Sequence, residues 1–166
     1  MKIAITGLTG FLGHYVAKKL FERDVHIQAL IRDSSNVLHL QDYQKKITYH
    51  KGDLTDKETL KKFVQDADVV IHMAYERQGA SFHEAANRDI KRFVEANLLG
   101  SIELLDASKQ AGIKQFIFIS QVAFMKCNFF LIILEMQDIA AVPYKRLDVN
   151  VPLEELFCNV VTEEAC

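Results

Sequence analysis

Proline, glycine, long apolar runs and an excess of positive charge are all scarce or missing in this sequence. With 2 prolines and 7 glycines among 166 residues, no stretch has the composition of a low-complexity linker. The longest uninterrupted apolar run covers residues 129–134, well short of the roughly 20 residues that a membrane-spanning helix needs. Acidic residues (22) slightly outnumber basic ones (20), so the chain lacks the positive charge that neutralises nucleic-acid phosphates. We therefore expect neither membrane insertion nor nucleic-acid binding.

Cysteine is also rare, and the three that occur, Cys127, Cys158 and Cys166, lie late in the chain. Their spacing matches neither a zinc site nor a CxxC redox pair. The six histidines are scattered, and residues 83–87 (HEAAN) lack the second histidine of the HExxH zinc motif, so we predict no metal site. The apolar stretch at the N-terminus is too short for a signal peptide. Together these features predict a cytoplasmic protein with reduced thiols.

What the sequence does contain is an alternation of two patterns, in a composition (49% hydrophobic, 25% charged) typical of a globular domain. Amphipathic segments of helical periodicity separate short apolar runs that are predicted to be strands. Strands that are apolar on both faces and alternate with helices predict an α/β fold with a doubly wound parallel sheet. The predicted strands are residues 2–6, 25–31, 47–50, 68–74 and 115–120, and the predicted helices are 11–23, 34–44, 55–65 and 81–111.

The alternation stops near residue 121. We expect one domain over residues 1–166, in which 1–121 follow the pattern and 122–166 form a divergent tail with no clear period. Thr55 is the predicted N-cap of the third helix, because a threonine hydroxyl there can accept a hydrogen bond from the first turn.

Glycines at positions 7, 10 and 13 join the first predicted strand to the first predicted helix, in a GxxGxxG spacing. In such a turn, Gly7 permits a tight bend, Gly10 lets the backbone approach a pyrophosphate, and Gly13 allows the helix to pack closely on the strand. Backbone N–H groups and the dipole at the helix N-terminus then favour phosphate binding. The position of the triplet between a strand and a helix makes it a stronger signal than the glycines alone.

At this motif the chain resembles the extended branch of the short-chain dehydrogenase/reductase superfamily, the NAD-dependent epimerase/dehydratase family. Four further segments resemble the family in the same order: residues 52–56 (GDLTD), 68–75 (DVVIHMAY), 97–101 (NLLGS) and 112–120 (GIKQFIFIS). The resemblance covers about residues 2–123. It implies a Rossmann-like domain that binds a nicotinamide dinucleotide, with Asp53 against the adenine and the end of the fourth strand beside the adenine ribose.

The resemblance also implies the members of the cofactor site. They are Gly7, Thr9, Gly10, Phe11, Leu12, Gly13, Arg32, Asp53, Leu54, Met73, Ala74, Tyr75, Asn97 and Ser120.

The choice between NAD and NADP depends on the end of the second strand. An acidic residue is expected there when the ribose 2′-hydroxyl of NAD is bound. This chain has Arg32 followed by Asp33. The guanidinium of Arg32 can hold the 2′-phosphate of NADP, whereas Asp33 could instead take the ribose hydroxyl of NAD. We slightly favour NADP; a strand-end arginine that is merely solvated is the alternative.

The catalytic residues of the resembled family are a Ser or Thr and a YxxxK pair, which lies on one face of a helix. No YxxxK occurs in this sequence: Tyr144 is followed four residues later by Asp148. Ser120 matches the first of the two hydroxyl positions, and Gln121 stands where the second, catalytic one is expected. We therefore predict no catalytic residues in this chain.

Three functional hypotheses follow from this pattern. The chain could belong to a dehydrogenase, reductase or epimerase that transfers hydride on a sugar nucleotide or small carbonyl compound. It could be a non-catalytic dinucleotide-binding module. Because the resemblance ends abruptly near Gln121, it could also be a truncated or frameshifted fragment. The apolar positions of the 81–111 segment could serve a homodimer, a role common among relatives, or simple core packing. The substrate is not predictable from the residues present.

Overall fold

A computed structural model of the chain describes residues 1–76, 89–121, 129–135 and 146–147, with side chains for 1–76 and 89–119. The first part alternates strands and helices, as the apolar pattern predicts. In chain order it contains β1 (Lys2–Thr6), α1 (Phe11–Phe21), β2 (His26–Ile31), a 3₁₀ helix (Leu38–Lys46), β3 (Ile47–Lys51), α2 (Lys57–Val64) and β4 (Val69–His72).

The second part begins with one nearly continuous helical stretch, which is divided by a change in its hydrogen bonding. It consists of α3 (Ile90–Val94), a π-helical turn (Glu95–Leu99) and α4 (Gly100–Gln110). The strands β5 (Gln115–Gln121), β6 (Phe129–Glu135) and β7 (Arg146–Leu147) follow. Single π-helical turns inside α-helices are frequent at functional sites, which draws attention to residues 95–99.

The strands form one sheet in the order β3-β2-β1-β4-β5-β6-β7. The first five are parallel, which confirms the predicted doubly wound sheet. The chain reverses direction across the sheet between β1 and β4, because β2 and β3 lie on one side of β1 and β5 lies beyond β4. In open α/β sheets, ligands bind at the carboxyl ends of the strands at this reversal.

Two apolar layers cover the sheet, one on each face. On one face α1 contributes Val16 and Leu20, which pack with Ile3 and Ile5 of β1. On the other face α2 and α4 contribute side chains that pack with Val70 of β4. Leu60, Phe63 and Leu104 of this second layer are fully buried. Burial on both faces explains why β1, β2 and β4 have uninterrupted apolar sequences rather than alternating ones.

The start of α2 differs from the prediction. Its N-cap is Asp56 rather than Thr55, because the Asp56 carboxylate accepts hydrogen bonds from the Thr59 backbone N–H (3.1 Å) and hydroxyl (2.6 Å). Thr55 instead donates its N–H and its hydroxyl to Asp53 Oδ1. The helix predicted over residues 34–44 is a 3₁₀ helix displaced toward β3.

The tail, for which no element was assigned from the sequence, contributes β6 and β7. β6 pairs antiparallel with β5 over its whole length, from Gln115↔Glu135 to Gln121↔Phe129. The apolar run at residues 129–134 is therefore an added strand of the sheet. Residues 81–88 of the predicted fourth helix, Tyr144 and the three cysteines lie outside the described residues. Among the described helices, none is both long and apolar enough to cross a bilayer.

Candidate functional site

A cavity of about 230 Å³ opens at the carboxyl ends of β1 and β4, at the reversal point of the sheet. The turn after β1, the end of β2, the loop after β3 and the residues that follow β4 all contribute to its wall. The lining residues are Thr6, Gly7, Thr9, Gly10, Leu30, Arg32, Ser35, Gly52, Asp53, Leu54, Met73, Ala74, Tyr75, Glu76 and Ala96.

The turn after β1 lies directly against the end of β4, and Gly7 makes this possible. Gly7 has a φ of +76°, which L side chains rarely adopt. A Cβ atom there would stand 2.7 Å from the Ala74 nitrogen and 2.8–2.9 Å from the Met73 carbonyl group. Both the dihedral angle and the contact distance therefore require glycine, for a reason internal to the fold.

The N-terminus of α1 begins at Gly10, which lines the cavity. The His14 N–H donates to the Gly10 carbonyl (3.1 Å), so the N–H groups of Phe11, Leu12 and Gly13 precede the helical hydrogen bonds. Within the part of the chain that the structure describes, no side chain caps this end, and its first turn contains no acidic residue. Among the described residues, a hypothetical Cβ on Gly10 would meet one atom within 4 Å, the Gly7 carbonyl oxygen at 3.3 Å. This helix end is electrostatically suited to an anion and is sterically open.

Behind the cavity, a buried chain of hydrogen bonds connects β1, β4 and the π-helical turn. The Ala74 N–H donates to Thr6 Oγ1 (3.2 Å), which lies 2.6 Å from His72 Nδ1. His72 Nε2 lies 2.8 Å from Ser101 Oγ, and Ser101 donates its hydroxyl to the Asn97 carbonyl (2.6 Å). Because Ser101 uses its one proton on Asn97, His72 must carry its proton on Nε2 and accept the Thr6 hydroxyl at Nδ1.

This histidine is neutral at physiological pH. His72 is almost completely buried, and burial lowers its pKa from 6.5 to about 4. The arrangement is that of a structural imidazole which fixes the ends of two strands.

The π-helical turn and the start of α4 fix the neighbouring loops through three residues of the 97–101 motif. The Asn97 side chain makes two hydrogen bonds with the backbone of Glu76. It accepts one from the N–H (2.7 Å) and donates one to the carbonyl (3.0 Å). Gly100 has no room for a side chain, because a Cβ there would stand 2.7 Å from the Leu54 Cβ. With the contact from Ser101 to His72, this motif positions the residues that follow β3 and β4.

Asp53, predicted to lie against an adenine, is paired with a cation. Its Oδ2 accepts a hydrogen bond from Arg92 Nη2 at 2.6 Å, and its Oδ1 accepts from the Thr55 N–H and hydroxyl. Burial opposes ionisation of Asp53, but the bonds from Arg92 and Thr55 outweigh it and lower its pKa. The carboxylate is therefore ionised and held at the cavity wall.

Arg32 also has a partner at the cavity. Its Nη1 donates to Glu76 Oε2, so an ion pair joins the end of β2 to the residues after β4. Asp33, the alternative ribose ligand, points to solvent beside Lys51, with 3.5 Å between Oδ1 and Nζ and 90% of its side chain exposed. Of these two neighbours, Arg32 lines the cavity.

The structure brings most of the sequence-predicted site residues to one cavity and leaves a few outside its lining. The lining includes Gly7, Thr9, Gly10, Arg32, Asp53, Leu54, Met73, Ala74 and Tyr75. Phe11 is largely exposed, and Leu12 packs against the core. Gly13 is buried beneath the turn, and Asn97 is hydrogen-bonded to the backbone of the lining residue Glu76. Ser120 lies on β5 opposite Phe130. Their role in cofactor binding stays a prediction.

Sequence reasoning missed six lining residues: Thr6, Leu30, Ser35, Gly52, Glu76 and Ala96. Thr6, Leu30 and Gly52 lie at or just after strand ends, so a rule that includes every such residue would have found them. Glu76 and Ala96 come to the same cavity only through the tertiary structure, since they lie 20 positions apart along the chain.

Comparison with known proteins gives the same assignment. The model of the NAD dependent epimerase/dehydratase family matches residues 3–125. A dTDP-D-glucose 4,6-dehydratase of Dictyostelium discoideum is 31% identical over 128 residues, covering 72% of this chain and 28% of that protein. A putative dihydroflavonol 4-reductase of Synechocystis is 29% identical over 119 residues, covering 72% of this chain and 32% of that protein.

Solved structures agree. The UDP-glucose 4-epimerase of Thermus thermophilus, determined as a complex with NAD, is 27% identical and superimposes with a TM-score of 0.56, covering 69% of this chain and 35% of that one. The chain thus spans about a third of the length of these relatives. The family match ends at residue 125, close to the point where the sequence resemblance ends. The chain belongs to the NAD-dependent epimerase/dehydratase family, of which it contains the N-terminal part.

Proposed function

We propose that this chain binds a nicotinamide dinucleotide in the cavity at the ends of β1 and β4. The observation that carries the proposal is the open, uncapped N-terminus of α1, which has no acidic residue in its first turn. The N–H groups of Phe11 and Leu12 would hold the pyrophosphate, and Gly10 would let it approach the backbone. The family match and the NAD complex of the Thermus thermophilus relative support this proposal.

The charges of the cavity fit a dianionic ligand. Two carboxylates, Asp53 and Glu76, line the wall, and each accepts a hydrogen bond from an arginine. Their negative charge is therefore compensated locally, and the helix N-terminus remains the dominant electrostatic feature facing the pyrophosphate. Asp53 would lie on the adenine side and the residues after β4, Met73 to Tyr75, on the ribose side, as in the resembled family.

Two glycine variants test the proposed binding. One should change the affinity without changing the stability, and the other should change the stability without changing the affinity. We expect NADH or NADPH to bind the purified chain with a Kd in the micromolar range or weaker. Gly10→Ala should weaken binding at least about tenfold, since its methyl group enters the space of the pyrophosphate, while the free energy of unfolding changes by less than about 1 kcal/mol. Isothermal titration calorimetry and urea unfolding measure the two quantities.

Gly112→Ala is the matched control. Gly112 has a φ of +72°, and no atom of residues 1–76 or 89–119 lies within 4 Å of a hypothetical Cβ there, so alanine should destabilise the fold by about 1 kcal/mol without changing affinity. The absence of heat with either dinucleotide in the wild-type chain would overturn the proposed function.

We extend the proposal to hydride transfer, the chemistry of the family, for any protein that includes this domain. Its substrate would be a sugar nucleotide or a small carbonyl compound, the classes expected from the sequence resemblance. The bound nicotinamide would supply or accept the hydride. The residues of this chain would bind and orient the cofactor, while the proton transfer of the family's tyrosine has no YxxxK pair to perform it in this sequence.

We accordingly expect no measurable dehydrogenase or epimerase turnover from these 166 residues. Loss of general acid–base catalysis lowers rates by about 10²–10⁴-fold, and loss of substrate positioning lowers them further. Nicotinamide absorbance at 340 nm, followed with sugar nucleotides and carbonyl compounds, measures the turnover. If turnover were found and Tyr144→Phe abolished it, the missing-site interpretation would be wrong. Because this sequence contains no YxxxK pair, a non-catalytic dinucleotide-binding module is the second candidate function.

One helical face presents an apolar surface of the kind that a second copy of the chain could cover. Ile90, Val94, Leu98 and Ile102 recur every four residues, so they share one side of the helical stretch. Each is between 37% and 56% exposed. The homodimer expected from the sequence stays a proposal for this face, supported by the size of the exposed side chains.

A further inference from the structure

The ion pair between Arg32 and Glu76 lies in the wall of the cavity, next to the residues that the proposed function assigns to the adenine ribose. Arg32 follows β2, Glu76 follows β4, and both side chains line the cavity. The Glu76 side chain is mostly buried, with 19% exposed, whereas that of Arg32 is 53% exposed. A partly buried carboxylate is less screened by solvent than an exposed one, so it holds a guanidinium more firmly than a typical surface pair does.

The position of Glu76 is fixed by the fold. Asn97 binds its N–H (2.7 Å) and its carbonyl (3.0 Å), and Asn97 itself belongs to the π-helical turn. A second arginine, Arg92, is bonded to Asp53 at 2.6 Å, and the charge of Glu76 also acts on it. The backbone of Glu76 is therefore held beside the cavity by contacts that do not depend on Arg32.

We propose that Glu76 determines cofactor specificity by competing with the 2′-phosphate of NADP for Arg32, so that the chain favours NAD. This inference rests on the proposed dinucleotide binding. A 2′-phosphate on the guanidinium would share it with a carboxylate of the same sign, and the two anions would repel each other. The 2′-hydroxyl of NAD carries no charge and can donate a hydrogen bond to a carboxylate.

The inference departs from the slight preference for NADP drawn from the sequence. That preference considered Arg32 as a strand-end cation with its donors available. In the folded chain its partner comes from a residue 44 positions later. A preference for NAD also follows from the usual rule that an acidic side chain near the ribose favours the unphosphorylated cofactor, although here that side chain comes from the segment after β4 rather than from the end of β2.

The test compares NADH and NADPH affinities of the wild-type chain, Glu76→Gln, Arg32→Ala and the double variant by isothermal titration calorimetry. We expect the wild-type chain to bind NADPH no more tightly than NADH. Glu76→Gln should tighten NADPH binding about tenfold and change NADH binding less than about threefold, because the neutral amide frees Arg32 for the phosphate. Arg32→Ala should weaken NADPH more than NADH.

The double variant separates the two sources of the effect. If Glu76 acts through Arg32, adding Glu76→Gln to Arg32→Ala should recover much less than the tenfold gain seen with Arg32 present. Glu22→Gln is the matched control: it removes an equal charge from an exposed pair with Lys19 at the end of α1, away from the cavity lining. It should leave both affinities unchanged.

The outcomes distinguish this inference from the proposed function. Binding of both cofactors with a ratio that Glu76→Gln does not change would overturn the role of Glu76 and leave dinucleotide binding intact. No binding by any variant would overturn both. If Glu76→Gln proved unstable in thermal unfolding, Glu76→Ala would be titrated in its place, since its backbone bonds to Asn97 do not require the side chain. A wild-type preference for NADPH would also contradict the inference.

Discussion

Gly13→Ala is expected to destabilise the chain by at least about 3 kcal/mol, a large part of the roughly 5–15 kcal/mol that holds a typical domain folded. A Cβ at Gly13 would stand 2.3 Å from the Leu8 carbonyl oxygen and 2.4 Å from that of Gly7. Both are backbone atoms of the turn that α1 covers, so no side-chain rotation can relieve the overlap. The helix would have to move away from β1, and the cavity would lose its wall.

Gly10→Ala provides the comparison, because its added methyl group meets one atom at 3.3 Å. The two substitutions add the same methyl group three residues apart, in the same turn. We expect urea unfolding, followed by far-UV circular dichroism, to give Gly13→Ala a midpoint much lower than that of the wild-type chain. The midpoint of Gly10→Ala should stay close to that of the wild-type chain. A Gly13→Ala midpoint equal to that of the wild-type chain would show that the packing of α1 on this turn is not as close as described.

Acidification from pH 7 to pH 4 is expected to remove about 3 kcal/mol of stability through His72 alone. Burial holds the pKa of His72 at about 4 in the folded chain, against 6.5 for the free side chain. Each pH unit of separation between these values corresponds to about 1.4 kcal/mol. The unfolded chain binds more protons than the folded one between the two values, so the full stability is present above pH 6.5 and falls as the pH drops toward 4.

The hydrogen-bond chain explains why the fold resists protonation of this residue. His72 Nδ1 accepts the Thr6 hydroxyl, and Thr6 Oγ1 accepts the Ala74 N–H. A proton on Nδ1 would leave the Thr6 hydroxyl proton without its acceptor in a buried place. Other groups change stability in the same direction, because burial lowers the pKa of His50 and the contacts with Arg92 and Thr55 keep that of Asp53 low.

His72→Gln isolates the contribution of His72. Glutamine keeps a polar side chain but does not titrate, so the variant should be less stable at pH 7 yet lose less stability on acidification. Urea unfolding at a series of pH values between 4.5 and 7.5 gives the two slopes, whose difference should approach one proton, or about 1.4 kcal/mol per pH unit. Equal slopes for the two proteins would mean that His72 titrates normally in the folded state.

Several features of this chain follow from local sequence. The five apolar runs determined the parallel strands, because segments buried on both faces contain few polar residues in any context. The glycines at 7, 10 and 13 identified the turn at the helix start, since the dihedral angle of Gly7 and the packing at Gly13 leave no alternative residue. Each of these constraints involves residues that lie close together in the chain, so it can be predicted from a single sequence.

Other features depended on segments that the fold brings together. The tail had no readable period, yet residues 129–135 became an antiparallel strand because the unpaired edge of β5 offered backbone hydrogen bonds to an apolar run. Thr55 was the predicted cap of α2, but Asp56 holds that place because its carboxylate reaches two donors of Thr59. Such competition between adjacent residues is settled by backbone geometry rather than by residue preference.

By itself, the sequence determined the family, the five parallel strands and the glycine turn, because each is encoded by residue types at short spacing. Only the tertiary structure decided the electrostatics of the candidate site, where the pairs Arg32–Glu76 and Asp53–Arg92 join residues 44 and 39 positions apart. The physical reason is that the charge which a ligand meets depends on the partners of each ionised group. The packing of the strand ends against the helix determines these partners, and no local sequence pattern encodes that packing.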